Sequence, residues 1–146
     1  MQVVERFVTS ASVETVWRTL ADVERWTDWN PTIVEIKPLT EGGLRIGARY
    51  RVTQTGLKPG VYEVTGCTPN ESFTWVQKLL GGELIADHRI AARNGLTEVE
   101  LSFSSKGPFA NLATILLSGK IRDFVAKEAR GLKKQVQDQR MQKRIL

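Results

Sequence analysis

The sequence has little of what metal and disulfide chemistry needs. Its 146 residues include one cysteine and one histidine. The lone Cys67 excludes an intrachain disulfide and a cysteine-rich zinc or iron–sulfur site. The lone His88 argues against a multi-histidine metal site. We therefore expect neither a metal nor a cofactor.

Long hydrophobic runs are also missing. Glu5 and Arg6 interrupt the N-terminus before the apolar core of a signal peptide could form. The longest apolar tract, residues 109–117, is far short of the roughly 20 residues that a membrane span needs. The default expectation is a soluble protein in the reducing cytoplasm. The composition, 41% hydrophobic and 25% charged, is near the globular average, and the length suits one domain.

Charge is unevenly distributed along the chain. The net charge is +5, yet residues 120–146 carry nine Lys or Arg against three Asp or Glu. One hypothesis is therefore an interaction module whose basic C-terminal end contacts nucleic acid, anionic lipid or an acidic partner. Its candidate residues are Arg130, Lys133, Lys134, Arg140, Lys143 and Arg144. The explanation we favour is that these charges lie on a solvent-exposed helix face and its C-terminal tail. We expect no nucleic-acid partner, because no aromatic residues interleave with these charges.

The N-terminal third predicts a strand followed by two short helices. Residues 2–9 are rich in Val and Phe, as strands are. The hydroxyls of Ser10 and Ser12 can cap a first helix. Its apolar face follows at helical spacing: Val13, Val16, Trp17 and Leu20. Asp22 is the expected cap of a second short helix, which ends before Pro31.

From residue 33 onward, alternating apolar runs are separated by Gly, Pro and Asn turn signals, of which Asn94-Gly95 is the strongest. The predicted strands are 33–39, 46–55, 60–67, 71–80, 83–93 and 96–105. The short connections imply antiparallel neighbours. After Gly107-Pro108 the pattern returns to a helix of some 25–30 residues. Its apolar stripe is Leu117, Ile121, Phe124, Val125, Glu128, Leu132 and Val136.

The stretches Ala11–Trp17, Asp22–Pro31, Gly47–Tyr50, Phe73–Trp75 and Glu128–Lys133, in this order, resemble the START-like or SRPBCC superfamily. Within it the chain is similar to the polyketide cyclase/dehydrase group. The resemblance implies an α+β helix-grip fold, with a curved seven-stranded antiparallel sheet around a long C-terminal helix and a cavity between them. We predict one domain, 1–138, followed by a basic tail, 139–146.

Relatives in this superfamily bind lipids, sterols, hormones or polyketides, and some are enzymes, so the fold leaves the function open. The leading hypothesis is binding of a hydrophobic small molecule of lipid, polyketide or aromatic type in that cavity. The alternative is a cyclase/dehydratase-type enzyme that uses the same cavity. The ligand and the oligomeric state are not predicted.

Strand parity and helix register select the side chains expected to face the cavity. The predicted ligand-binding residues are Trp26, Tyr50, Val52, Gln54, Trp75, Gln77, His88, Ile90, Phe103, Phe124 and Glu128. A mostly apolar concavity with a few polar groups is typical of a small-molecule site. The other explanation is that these polar groups satisfy each other or water.

Two of these residues, His88 and Tyr50, are the candidates for acid–base catalysis. No serine or cysteine nucleophile pairs with the histidine by any motif. Glu128 is expected at the edge of the helix stripe, reaching water. If it is buried instead, its charge must be paired or its pKa raised. The loop 56–60 either borders the cavity or is an ordinary turn.

Overall fold

The computed structural model describes residues 2–145 and, within them, the side chains up to residue 142. The strands are β1 (Gln2–Thr9), β2 (Ile33–Pro38), β3 (Arg49–Gln54), β4 (Gly60–Thr68), β5 (Ser72–Leu79), β6 (Gly82–Arg93) and β7 (Leu96–Lys106). The helices are α1 (Val13–Ala21), a 3₁₀ helix (Val23–Asp28), α2 (Pro108–Leu116) and α3 (Ser118–Ile145). The predicted order of strand, short helices, six strands and long helix is confirmed.

All strands pair antiparallel in one sheet, in the order β1-β7-β6-β5-β4-β3-β2. Successive turns therefore alternate between its two ends. The turns after β3, β5 and β7 share one end, which we call the mouth end. The turns after β2, β4 and β6 share the other, the far end. Asn94 and Gly95 turn β6 into β7 with φ of 53° and 78°, as the sequence predicts for this hairpin.

The first helix forms as its sequence indicates, and the second forms as a 3₁₀ helix. The Ser12 hydroxyl accepts a hydrogen bond from the Thr15 backbone N–H at 3.1 Å and caps α1. Asp22 is the N-cap residue of this 3₁₀ helix as predicted, but its side chain makes no capping hydrogen bond. This helix still buries Val23 and Trp26.

Two boundaries differ from the prediction for local backbone reasons. Strand β3 begins at Arg49 rather than residue 46, because Gly47 has a φ of 90° and the Ala48 N–H closes a turn onto Arg45. The helical region after Gly107 divides at Leu117 into α2 and α3, where one helix was predicted. The α3 helix, 28 residues long, matches the predicted length and continues across the domain boundary expected at residue 138.

The core lies between the concave face of the sheet and α3. Four small or branched side chains of α3 are buried there: Val125, Ala129, Leu132 and Val136. A Cβ at Gly131 would overlap the Trp29 carbonyl, so glycine lets α3 lie directly against the end of the 3₁₀ helix. The N-terminal half of α3 and the whole of α2 lie toward the mouth end, which leaves a cavity. Between residues 2 and 145, no helix is both long and apolar enough to cross a membrane.

Candidate functional site

The cavity opens at the mouth end, between the sheet, α2 and the first turns of α3. Its volume is about 170 Å³ and its walls are mostly apolar. Nine of the eleven predicted residues line it: Trp26, Val52, Gln54, Trp75, Gln77, His88, Phe103, Phe124 and Glu128. The loop 56–60 also borders it, through Leu57, Lys58 and Gly60.

Tyr50 and Ile90, the other two predicted residues, do not line the cavity. Tyr50 begins β3 and Ile90 lies near the end of β6, so both are close to the far end of the sheet. Strand parity correctly predicts that both side chains face the inside of the sheet, since both are buried. There, however, packed aromatic rings fill the space, including Trp75, whose ring centroid lies 5.9 Å from that of Tyr50. Tyr50 is therefore not placed to act on a molecule in the cavity.

His88 is held in one orientation by its surroundings on β5. Its ring stacks on Phe73 at 4.0 Å between centroids, with 13° between the planes. Its Nδ1 lies 3.1 Å from the Phe73 carbonyl oxygen. Because a carbonyl only accepts hydrogen bonds, Nδ1 carries the proton and donates it, and Nε2 is left with a free lone pair. Burial lowers the pKa of His88 to about 4, against the opposing effects of the Phe73 hydrogen bond and Asp87.

Glu128 faces His88 across the cavity rather than reaching bulk water at the edge of the stripe, as was expected. Its side chain is 17% exposed, and its Oε1 lies 3.9 Å from His88 Nε2. Burial raises the pKa of Glu128 to about 7. The position follows from helical spacing, because Glu128 lies one turn after Phe124 and one turn before Leu132, which both face inward.

Between about pH 4 and pH 7 the two groups form a neutral pair, because burial lowers the pKa of His88 to about 4 and raises that of Glu128 to about 7. At 3.9 Å they are also too far apart to hydrogen-bond to each other. His88 Nε2 is thus a hydrogen-bond acceptor and the Glu128 carboxylic acid a donor, and both groups face the cavity. A hydroxyl group seated against both would donate to the first and accept from the second.

The other polar groups of the cavity are mostly satisfied within the protein. The Asn30 side-chain oxygen accepts from the Thr32 N–H at 3.0 Å and from the Thr32 hydroxyl at 2.8 Å. The Gln54 amide donates to the same hydroxyl at 3.1 Å. Of the predicted polar residues, Gln54 therefore has its partner in Thr32, which was not among them. Gln77 lies against Gly60, where a Cβ would be 2.6 Å from the amide nitrogen.

Trp26 closes the inner end of the cavity. Its indole N–H donates to the Leu20 carbonyl at 2.9 Å, and its ring lies 5.4 Å from that of His88 and 5.1 Å from that of Trp75. Burial alone would have suggested a core residue, since its exposed fraction is 1%. The position of the 3₁₀ helix makes it both core and cavity wall.

Several lining residues were not among the predicted ligand-binding residues. They are Asn30, Thr32, Ile33, Tyr62, Leu79, Leu84, Ala86, Ala113, Thr114, Leu117, Ile121 and Val125. Strand parity carries the signal for Tyr62, because it shares a face of β4 with the buried Gly60 and Val64. Burial and the neighbouring Glu128 raise the pKa of Tyr62 to about 12, so its hydroxyl stays protonated. The α2 residues could not be found in this way, because strand parity does not apply to a helix and the sequence predicted α2 and α3 as one helix.

The family model described as polyketide cyclase / dehydrase and lipid transport matches residues 1–137. The chain belongs to this family. No curated protein matches the chain in sequence. The family supports a fold that binds hydrophobic ligands, which agrees with the mostly apolar cavity and fits the leading hypothesis at that level.

Solved structures share the helix-grip fold of this family. A Thermus thermophilus protein superposes with a TM-score of 0.75 at 16% identity, over 94% of this chain and 98% of that one. The Zhui aromatase/cyclase of a Streptomyces species superposes with a TM-score of 0.72 at 13% identity, over 94% and 93%. The di-domain ARO/CYC StfQ of the steffimycin biosynthetic pathway reaches 0.77 at 9% identity, over 94% and 51%. At these identities the likeness establishes the fold.

Proposed function

We propose that the protein binds a small, largely apolar molecule carrying a hydroxyl group, with the hydroxyl against His88 and Glu128. One observation carries this proposal: His88 Nε2 and the Glu128 carboxyl oxygen lie 3.9 Å apart in the wall of a mostly apolar cavity. A site built to hydrogen-bond a hydroxyl rejects the analogue that lacks it, because its own polar groups are then left unpaired.

The cavity volume sets the size of the ligand. At about 170 Å³ it is comparable to cavities of about 150 Å³ that hold one benzene-sized molecule. A single substituted ring fits the cavity as it stands. A longer ligand would extend out past Leu57 and Leu117 at the mouth end.

Calorimetric titration with p-cresol and p-xylene tests the proposal, because the two molecules have nearly the same shape and differ by one hydroxyl. We expect p-cresol to bind about tenfold more tightly, the value of about one net hydrogen bond in a buried site. Glu128→Leu removes the donor and should weaken the preference, since His88 Nε2 still accepts from the hydroxyl, and His88→Phe/Glu128→Leu should abolish it. Glu128→Gln retains it, because an amide still offers both a donor and an acceptor.

Asp123→Asn is the matched control, since it neutralises an exposed carboxylate on the same helix. It should leave both affinities unchanged. Equal affinities for the two probes, absence of binding, or a p-cresol preference that survives in His88→Phe/Glu128→Leu would each contradict the proposal.

A second candidate function, elimination of water from a β-hydroxy carbonyl compound, is favoured by the same pair. Glu128 holds a proton with a pKa of about 7, and the adjacent His88 nitrogen has a free lone pair. His88 would take the proton α to the carbonyl while Glu128 protonates the departing hydroxyl. The C–H and C–O bonds break, the C=C bond forms, and water leaves. Proton return from His88 to Glu128 restores the pair.

The aldol adduct of benzaldehyde and acetone tests this second function, because its dehydration gives a conjugated enone that is followed by absorbance. An enzyme of this type would lose turnover in His88→Phe and Glu128→Gln and keep it in Tyr50→Phe, since Tyr50 lies outside the cavity. Binding of p-cresol without turnover of the adduct would refute the elimination reaction and leave ligand binding as the only proposed function.

A further inference from the structure

Helix α2 has the reverse of the usual amphipathic arrangement. Its inner face carries the small residues Ala110 and Thr114, which are buried. Its outer face carries large apolar side chains, and Phe109 is 69% exposed and Leu116 74%. The helix contains no charged residue. A surface helix ordinarily turns polar side chains to water, so this face is unpartnered in the isolated chain.

The exposed side chains form one surface at the mouth end, which we call the α2 patch: Leu80, Phe109, Leu112, Ile115, Leu116 and Leu117. Leu80 stands at the turn between β5 and β6 and is 95% exposed. The Phe109 ring lies over the adjacent Gly81, where a Cβ would be 2.7 Å from it. The turn and the helix therefore present their apolar side chains together.

The charges around the α2 patch are mostly positive. Three segments bound it, 55–60, 77–82 and 106–122, and they contain Lys58, Lys78, Lys106, Lys120 and Arg122 but no Asp or Glu. Lys120 reaches across the mouth to the β3–β4 loop, since a Cβ at Gly56 would lie 2.6 Å from its Nζ. Two carboxylates adjoin these segments: Glu83 pairs in register with Lys78 and Lys106, and Asp123 lies 2.8 Å from Lys127 Nζ. The rim remains net positive.

We propose that the α2 patch docks onto an anionic lipid bilayer. The large apolar side chains would enter the hydrocarbon boundary, and the surrounding lysines and arginine would meet negatively charged headgroups. A second copy of the chain is a poorer partner, because a two-fold contact through this patch would set cations against cations. Docking would also bring the mouth of the cavity to the membrane, since Ala113, Thr114 and Leu117 line that cavity.

Vesicle flotation tests the proposal, with phosphatidylcholine vesicles that either contain or lack phosphatidylglycerol. We expect binding to the anionic vesicles that weakens as salt is added. The double variant Ile115→Asp/Leu116→Asp should lower the partition coefficient on the order of 100-fold, because it removes two leucine-sized insertions. Lys58→Gln/Arg122→Gln should lower the partition coefficient about 25-fold, since each cation near an anionic surface raises this coefficient about fivefold.

Matched controls lie away from the mouth end. Ile46 is 62% exposed in the turn after β2, at the far end, so Ile46→Asp should bind vesicles as the unchanged protein does. Arg130→Gln/Lys134→Gln removes the same charge from exposed positions several turns further along α3 and should also have little effect. Circular dichroism of each variant checks that it is folded.

Three results would overturn the proposal. Binding to anionic vesicles that is lost in Arg130→Gln/Lys134→Gln and kept in Ile115→Asp/Leu116→Asp would assign membrane contact to the basic end of α3. Concentration-dependent dimerisation that Ile115→Asp/Leu116→Asp abolishes, without vesicle binding, would make the α2 patch a contact between copies. Absence of flotation with both vesicle types at low salt would refute docking. None of these outcomes depends on whether p-cresol binds.

Discussion

Replacing Glu128 by glutamine should stabilise the protein at alkaline pH. In the folded protein burial raises the pKa of Glu128 to about 7, from an ordinary value of 4.5. Between these two values the folded state binds more protons than the unfolded state, so stability falls as the pH rises through this window. A shift of about 2.5 pKa units corresponds to about 3 kcal/mol, fully expressed above pH 7 and absent below pH 4. Glutamine has the same shape and does not titrate.

Urea unfolding followed by tryptophan fluorescence measures this effect. The difference in free energy of unfolding between Glu128→Gln and the unchanged protein should grow by about 3 kcal/mol from pH 4 to pH 8. His88 acts in the opposite direction. Its pKa is lowered to about 4, so it costs stability as the pH falls below 6.5. That contribution is common to both proteins and cancels in the difference.

Asp123→Asn provides the control, because it removes an exposed carboxylate from the same helix, where it pairs with Lys127 at 2.8 Å. This variant should show no comparable gain at high pH. The neutral pair on which the proposed function rests would be refuted by either of two results. The difference in free energy of unfolding between Glu128→Gln and the unchanged protein could be the same at all pH values, or it could be smaller at pH 8 than at pH 4.

Further predictions concern affinity, helix packing and capping. The affinity for p-cresol should fall as the pH rises above 7, because Glu128 then loses the proton it donates; a titration series measures this, and a flat profile contradicts it. Gly119→Ala should stabilise α3 by about 1 kcal/mol, since nothing lies near its Cβ, whereas Gly131→Ala should destabilise the protein because its Cβ meets the Trp29 carbonyl. Thermal unfolding of the pair checks this, and equal effects would contradict it. Ser12→Ala should cost about 1 kcal/mol in the same assay by removing the cap of α1, and an unchanged melting temperature would contradict it.

Strand parity explains why much of the cavity wall could be predicted. His88 lies between the charged Asp87 and Arg89 on its strand, so its facing follows from sequence alone. Parity does not say how far along a strand the cavity extends. Tyr50 and Ile90 therefore have the right facing but are buried toward the far end, where the Tyr50 ring packs against Trp75.

The features that could not be predicted from the sequence depend on how the helices and strands pack against one another. Glu128 has the register of an apolar stripe, but only the placement of α3 over β6 brings its carboxyl to 3.9 Å from His88. The division of the last helical region follows from the turn at Leu117. Once α2 is a separate helix, its large side chains face outward, although the tract 109–117 reads simply as apolar in the sequence. Lys143 and Arg144 of the predicted basic end lie outside the described side chains.

The most direct test of the neutral pair uses the single histidine of the chain. In untagged, ¹⁵N-labelled protein, the imidazole nitrogen signals belong to His88 alone. We expect a protonated Nδ1 and an unprotonated Nε2, with the ring still neutral at pH 5.5. We also expect p-cresol, but not p-xylene, to shift the Nε2 signal. A ring protonated on both nitrogens at that pH, or a proton on Nε2, would contradict the neutral pair.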